Sequence, residues 1–247
     1  MNLHPALSPG RAAVITGAAS GIGLATAERF AAIGMRICLA DHNVEALRTA
    51  AAAVAQIAKR PEDVIAVPTD VSRLEEIERL KDTVFQMFGE VALLMNNAAV
   101  EGGGGLLGSP ERWQQILGTN LWGVIHGIQV FAPAMIAQGT ACAIVNTGSK
   151  QGITCPPGDT AYNTSKAGVK VVTEALAHEL RNTDGCQVTA HLLIPGFVYT
   201  GLTRARSDRK ARRRLDGGTG RRFHAARHGW RRLLHPEPGQ RRHPRDG

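Results

Sequence analysis

Residues 16–23 have the sequence T-G-A-A-S-G-I-G, and this stretch decides the fold. An apolar run precedes it and a helical pattern follows it, so we expect its glycines to form a turn between a strand and a helix. Gly17 allows the sharp turn, Gly21 allows the backbone to approach a bound pyrophosphate, and Gly23 allows the helix to pack closely on the sheet. The amide groups and the dipole at the helix start favour a phosphate. The stretch therefore predicts a nucleotide site.

The rest of the chain alternates short apolar runs with longer helical patterns, as the βαβ units of a parallel sheet do. We predict six strands, each apolar on both faces because helices cover both sides of the sheet, at residues 13–16, 37–41, 64–68, 93–96, 143–147 and 188–194. We predict helices at residues 22–33, 44–59, 74–88, 110–137 and 160–182, the fourth of them bent or split by its Gly and Pro residues. This pattern predicts one α/β domain with a doubly wound parallel sheet of the Rossmann type.

A second motif, Y-N-T-S-K at residues 162–166, places a tyrosine and a lysine one helical turn apart. Tyr162 and Lys166 are therefore expected on the same face of a helix. A tyrosine hydroxyl is a poor base at neutral pH, and a nearby ammonium group favours its ionised form. Ser149 follows the fifth predicted strand and can donate a hydrogen bond to a substrate oxygen whose charge changes. The three residues predict acid–base chemistry beside the nucleotide site.

Taken together, these motifs make residues 8–202 resemble the short-chain dehydrogenase/reductase family. The resemblance implies an oxidoreductase that interconverts an alcohol and a carbonyl compound by hydride transfer. It implies that Tyr162 is the general acid/base, that Lys166 assists it and binds the nicotinamide ribose, and that Ser149 orients the substrate oxygen. Asn120, in the sequence G-T-N-L-W-G, matches the asparagine that holds a water molecule in the family's proton relay.

The resemblance also implies a cofactor, and Asp41 bears on which one. Asp41 ends the second predicted strand, where a carboxylate can accept hydrogen bonds from the adenosine ribose and would repel a 2′-phosphate. No Lys or Arg lies between Gly17 and Gly21 to bind such a phosphate. We therefore predict NAD(H) as the cofactor. The cofactor-binding residues implied by the resemblance are Gly17, Ser20, Gly21, Ile22, Gly23, Asp41, Asp70, Val71, Asn97, Tyr162, Lys166, Pro195, Gly196, Val198 and Thr200.

Residues 203–247 depart from the family pattern. They contain 14 Arg and one Lys against four carboxylates, a net charge of +11, whereas the first 202 residues carry −3 of the overall +8. One interpretation is a tail that binds nucleic acid or a membrane. The other is translation in a shifted frame. If synonymous codons are chosen freely and read one base later, residues 215–247 can encode E-Q-V-V-D-F-M-L and D-F-Y-I-L, a helix and a strand. We favour the shift, near residues 208–210, and expect a disordered or non-native tail in place of the substrate lid.

The remaining composition narrows the setting. The four cysteines are scattered without a C-x-x-C pair, which favours reduced thiols and the cytoplasm. We find no signal peptide, no run of 18 apolar residues for a membrane span, and no cluster of residues with metal-ligand spacing. The sequence therefore predicts no metal and no membrane partner.

Our prediction from the sequence is an NAD(H)-dependent enzyme acting on a small alcohol or carbonyl substrate and forming at least a dimer. One alternative is a protein that binds NAD but is catalytically impaired, because the substrate segment is missing. The other is nucleic-acid binding through the basic tail, which we consider the weakest of the three.

Overall fold

The computed structural model describes residues 4–102 and 105–195. Its centre is a six-stranded sheet with the strand order β3-β2-β1-β4-β5-β6, and every neighbouring pair of strands is parallel. The strands are β1 (Ala12–Thr16), β2 (Arg36–Asp41), β3 (Val64–Pro68), β4 (Leu93–Asn96), β5 (Cys142–Thr147) and β6 (Val188–Leu193). The chain runs outward from β1 to β3 and returns beside β1 with β4. This reversal leaves a crevice at the carboxyl ends of β1 and β4, where α/β sheets bind their ligands.

The helices lie where the apolar periodicity predicts them. They are α1 (Gly21–Ala32), α2 (Val44–Ile57), α3 (Leu74–Phe88), α4 (Pro110–Leu117), α5 (Gly123–Ala137), α6 (Gln151–Thr154) and α7 (Thr160–Arg181). The predicted helix at 110–137 is split, because a π-helical turn at Gly118–Trp122 separates α4 from α5. The short helix α6 and a 3₁₀ turn at Pro61–Asp63 were not predicted. The doubly wound α/β fold and its six strands are confirmed.

The core has two layers, one on each side of the sheet. Alternate strand residues point to opposite faces, so Ile15 packs with α1 and α2 whereas Val14 packs with α3, α5 and α7. All five residues of β1 are buried. A strand covered on both faces must be apolar throughout, which is the pattern by which the sequence reveals it.

Three charged side chains join the amino-terminal ends of the central strands. The Glu90 carboxylate, just before β4, accepts hydrogen bonds from Arg11 Nε at 2.9 Å and from Arg36 Nη2 at 3.1 Å. Arg36 also donates to the Phe88 carbonyl. Each of these side chains is about one-fifth exposed. This cluster fixes the end of the sheet opposite the crevice.

The segment that spans α4, the π-helical turn and α5 has a strongly apolar composition. Residues Pro110–Ala137 are long and apolar enough to cross a membrane by length and composition, although only 39% of the most apolar window is buried in the fold. The segment packs on α3, β4, β5 and α7. We interpret it as a core segment of the fold.

Some predictions concern residues that the structure does not describe. Gly196, Val198 and Thr200, predicted to bind the cofactor, and the tail at 203–247 lie outside the described residues.

Candidate active site

The glycine-rich turn has the conformation that its sequence predicts. Gly17 and Gly21 have φ values of +65° and +58°, in the left-handed region that favours glycine. A Cβ atom at Gly17 would lie 2.7 Å from Ala98 Cα, and one at Gly23 would lie 2.3 Å from the Gly17 carbonyl oxygen. The turn therefore places the start of α1 at the crevice. The side chain of Ser20, the N-cap residue of α1, does not cap the backbone N–H groups there.

Two polar residues brace this turn from behind. The Thr16 hydroxyl accepts hydrogen bonds from the backbone N–H groups of Asn97 and Ala98, at 2.9 and 3.1 Å. The Asn97 side chain donates to the carbonyls of Thr16 and Gly17 and accepts a hydrogen bond from the Thr147 hydroxyl. Asn97 thus links the ends of β1, β4 and β5, and the sequence motif did not reveal this bracing role.

Asp41 is fixed beside the turn at the end of β2. Its carboxylate accepts hydrogen bonds from the backbone N–H of Ala19 at 3.1 Å and of Asn43 at 3.0 Å. The side chain is 11% exposed and lines the crevice. A carboxylate held in this way presents negative charge at the position where an adenosine ribose would bind.

The segment after β3 forms the neighbouring wall. The Asp70 carboxylate accepts hydrogen bonds from the Ser72 N–H and hydroxyl, at 3.0 and 2.7 Å. The Asp70 N–H donates to Glu76 at 2.8 Å. Val71 is almost fully buried and also lines the crevice. Both predicted residues therefore line the crevice.

Tyr162 and Lys166 lie on α7 at the opposite end of the crevice. The Lys166 Nζ is 5.8 Å from the centre of the Tyr162 ring and donates a 2.8 Å hydrogen bond to the Thr147 carbonyl. Lys166 is 2% exposed, and this burial lowers its pKa from 10.5 to about 8. The lysine therefore remains mostly charged at neutral pH but close to the point of losing its proton.

Ser149 lies in the connection between β5 and α6. Its hydroxyl oxygen accepts a hydrogen bond from the Gln151 N–H at 3.2 Å. A hydroxyl has one proton to donate and two lone pairs. Because the Gln151 N–H occupies a lone pair, this bond orients the oxygen and leaves the proton for a substrate oxygen.

Asn120 is completely buried in the π-helical turn. Its side chain accepts a hydrogen bond from the Val100 N–H at 2.8 Å and donates to the Val100 carbonyl at 2.9 Å. It also donates to the Ser165 hydroxyl at 3.3 Å. Asn120 thus holds the segment after β4 against α7, and Ser165, inside the Y-N-T-S-K motif, is a partner that sequence reasoning missed.

The crevice has a volume of about 590 Å³, within the range of ligand pockets. The predicted residues that line it are Gly17, Ser20, Gly21, Ile22, Asp41, Asp70, Val71, Asn97, Tyr162, Lys166 and Pro195. Gly23 packs behind the turn, Asn120 lies beneath the surface, and Ser149 is outside this lining. In residues 4–102 and 105–195, no group of three His, Cys, Asp or Glu residues is placed to hold a metal ion.

These residues fit a dinucleotide. The glycine turn and the uncapped start of α1 suit a pyrophosphate, Asp41 suits the ribose on one side, and Tyr162 with Lys166 lies on the other. A crevice that has an anion site at its centre and reactive groups at one end can hold a redox cofactor and present it to a substrate.

Comparison with known proteins identifies the same architecture. The family model for short chain dehydrogenases matches residues 11–211. The chain is 37% identical over 206 residues to the 1-deoxy-11-beta-hydroxypentalenate dehydrogenase of Streptomyces exfoliatus, covering 79% of this chain and 72% of that protein. It is 33% identical over 192 residues to a 3-oxoacyl-[acyl-carrier-protein] reductase of Synechocystis, covering 77% and 75%.

Solved structures are also similar. A short chain dehydrogenase/reductase from Burkholderia phymatum, in complex with NAD, has 42% identity and a TM-score of 0.76, over 86% of this chain and 75% of that one. An NAD⁺-bound xylitol dehydrogenase has 32% identity and a TM-score of 0.73, over 81% and 75%.

Proposed function

Because this chain belongs to the short-chain dehydrogenase family, we propose that it interconverts an alcohol and a carbonyl compound with NAD(H) as the hydride carrier. Membership of this family makes the chain a short-chain oxidoreductase that acts on small molecules and uses a nicotinamide cofactor. The observation that carries the finer proposal is the crevice, which has a fixed carboxylate, Asp41, at one end and Tyr162 with Lys166 at the other.

The residues of this chain would move one proton. When the alcohol is oxidised, the Tyr162 oxygen accepts the proton of the substrate hydroxyl, and when the carbonyl is reduced it returns that proton. The buried charge of Lys166 stabilises the ionised tyrosine, since the two groups lie on one helix face. The Ser149 hydroxyl donates to the substrate oxygen while the Gln151 N–H holds it in place. Bound NAD(H) would accept or supply the hydride.

We assign Asn120 to the relay behind the lysine. It is buried and joins the Val100 backbone to Ser165 on α7. This position supports a role in holding the catalytic helix and a proton path together. A water bridge from Asn120 to Lys166 is part of the proposal.

We propose NAD(H) rather than NADP(H) because of Asp41. Its carboxylate is held by the N–H of Ala19 in the glycine turn. A 2′-phosphate there would meet a fixed negative charge, and two like charges 4 Å apart repel by about 1–4 kcal/mol, with the lower figure for a site open to water. The NAD complexes of two similar proteins support the assignment.

We also propose self-association and a cytoplasmic location. Two large apolar side chains are exposed at α5 and α7: Trp122, in the π-helical turn before α5, is 53% exposed, and Val171, on α7, is 62% exposed. Such side chains suit contact with a second copy of the chain. All four cysteines are free thiols, which suits a reducing compartment.

The tail remains a separate proposal: residues after about 208 arise from a shifted reading frame. The family match supports it, because that match ends at residue 211. Sequencing codons 205–212 of the gene tests it directly. An undisturbed frame across several independent isolates would refute it.

The test of the catalytic proposal is Tyr162→Phe in the chain with its frame restored. Removing the hydroxyl should lower turnover of NAD⁺ with an accepted alcohol by about 10²- to 10⁴-fold. NADH binding should remain close to that of the unchanged protein. Thr164→Ala, an exposed change two residues away, is the matched control and should keep full turnover.

Turnover retained by Tyr162→Phe would remove Tyr162 from its role. Strong NADH binding without turnover of any alcohol, even with the frame restored, would instead favour an NAD-binding protein without this activity.

A further inference from the structure

His126 makes a contact with the crevice wall that no sequence motif predicted. It lies on α5, and its Nδ1 is 3.1 Å from the Val71 carbonyl oxygen. Because a carbonyl oxygen can only accept, the His126 Nδ1 must carry the proton of this hydrogen bond. The bond joins residues 55 positions apart and reaches Val71, which lines the crevice.

Val71 is also held by close packing against the start of α5, the helix that carries His126. Gly123, one turn before His126, packs so closely on Val71 that a Cβ atom there would lie 2.6 Å from Val71 Cγ2. The Trp122 ring covers His126, with ring centres 5.9 Å apart. The close packing limits where the Val71 side chain can be, and the His126 bond fixes the direction of its carbonyl.

The peptide group between Val71 and Ser72 links His126 to Asp70. Its carbonyl oxygen, on Val71, is the atom that His126 contacts, and its N–H, on Ser72, donates to the Asp70 carboxylate at 3.0 Å. A peptide group is planar, so a bond that fixes its carbonyl also fixes its N–H. Val71 is 5% exposed, and both Asp70 and Val71 form part of the crevice wall. The His126 bond therefore fixes the donor that orients the Asp70 carboxylate in the crevice.

The strand order identifies which part of a dinucleotide would meet Val71. Strands β2 and β3 lie at one side of β1, and β4, β5 and β6 lie at the other. Asp41 and Val71 follow β2 and β3, whereas Tyr162 and Lys166 stand beside β5. The half of the cofactor beyond Asp41, its adenine, would therefore lie over Val71, about as far from the reacting groups as the crevice allows.

We propose that His126 is a positioning residue for the adenine half of the cofactor: by holding the Val71 carbonyl it fixes the Val71–Ser72 peptide, whose N–H orients the Asp70 carboxylate towards the purine. The inference rests on the proposed cofactor site and adds a residue on the helix behind its wall. In this proposal His126 affects binding of the adenine half and takes no part in the acid–base chemistry at Tyr162 and Lys166.

The test compares three ligands: NADH, AMP and reduced nicotinamide mononucleotide, which lacks the adenosine half. His126→Ala should weaken NADH and AMP by the same factor, about three- to tenfold for one hydrogen bond. It should leave affinity for the mononucleotide unchanged. His126→Asn should restore most of the loss, because the asparagine Nδ2 occupies nearly the position of the histidine Nδ1 and can donate.

Gln129→Ala, an exposed change on α5, is the control and should alter none of the three affinities. The inference is overturned, and the proposed function is not, by any of three results. His126→Ala could bind NADH as tightly as the unchanged protein does, or it could lose affinity for the mononucleotide as much as for NADH. The third result is that His126→Asn does not restore NADH binding. Absence of NADH binding by the unchanged protein would overturn the proposed function as well. A lower melting temperature of His126→Ala with unchanged NADH affinity would show a purely structural role.

Discussion

Replacing Lys166 with methionine should make the protein without ligand more stable at pH 7, although it removes a central residue of the proposed site. Lys166 carries a charge that is 2% exposed, and burial lowers its pKa from 10.5 to about 8. At 1.36 kcal/mol per pKa unit, this change corresponds to a cost of roughly 3 kcal/mol for keeping the charge buried. The hydrogen bond that Lys166 donates to the Thr147 carbonyl stabilises the fold by about 1 kcal/mol, and Lys166→Met loses this bond.

Lys166→Met should therefore gain about 2 kcal/mol, or roughly 4–8 °C in melting temperature for a domain of this size. The gain should depend on pH. Below pH 8 the folded protein keeps the costly charge, and between pH 8 and about 10.5 the unfolded state holds more protons than the folded state. The unchanged protein should thus gain stability over this interval, whereas Lys166→Met should not. The free energies of unfolding of the two proteins should therefore become similar by about pH 10.5.

Urea unfolding of both proteins at pH 7, 8, 9 and 10 measures this difference. Lys170→Met, one turn further along α7, is the matched control, since Lys170 is 42% exposed and paired with Glu174. It should change stability by less than about 0.5 kcal/mol at every pH. A Lys166→Met protein that is less stable than the unchanged protein at pH 7, or a difference that does not shrink by pH 10, would refute the reasoning.

Two further predictions concern other parts of the fold. Asp41→Ala should narrow the preference for NADH over NADPH by about tenfold, since it removes the fixed charge; fluorescence titration of both ligands measures it, and an unchanged ratio would contradict it. Glu90→Gln should destabilise the fold by about 1–2 kcal/mol, because Glu90 is the common acceptor for Arg11 and Arg36. Glu75→Gln, whose side chain is 59% exposed, is its control, and equal melting temperatures for the two variants would count against the prediction.

The sequence predicted the strands and most helices because their signal is local. The run around Ile15 is apolar throughout, and such a run between turn residues has few other interpretations. The glycine turn was equally clear, since its backbone conformation requires Gly17 and Gly21. These features depend on neighbours in the chain.

The missed features depend on contacts between distant residues. The bond from Lys166 to Thr147 and the bond from His126 to Val71 join residues 19 and 55 positions apart. The split of the fourth helix was predicted, but the bonds from the buried Asn120 to the Val100 backbone, which join residues 20 positions apart, were not. No local periodicity encodes such contacts, so only the folded chain reveals them.

Titration of the full chain with NADH, followed by nicotinamide fluorescence, tests the central claim most directly. The account predicts saturable binding of one NADH per chain, tighter than that of NADPH. It also predicts competition by AMP, which occupies the Asp41 end of the crevice. An absence of saturable NADH binding by a chain whose circular dichroism and melting show an intact fold would contradict the account.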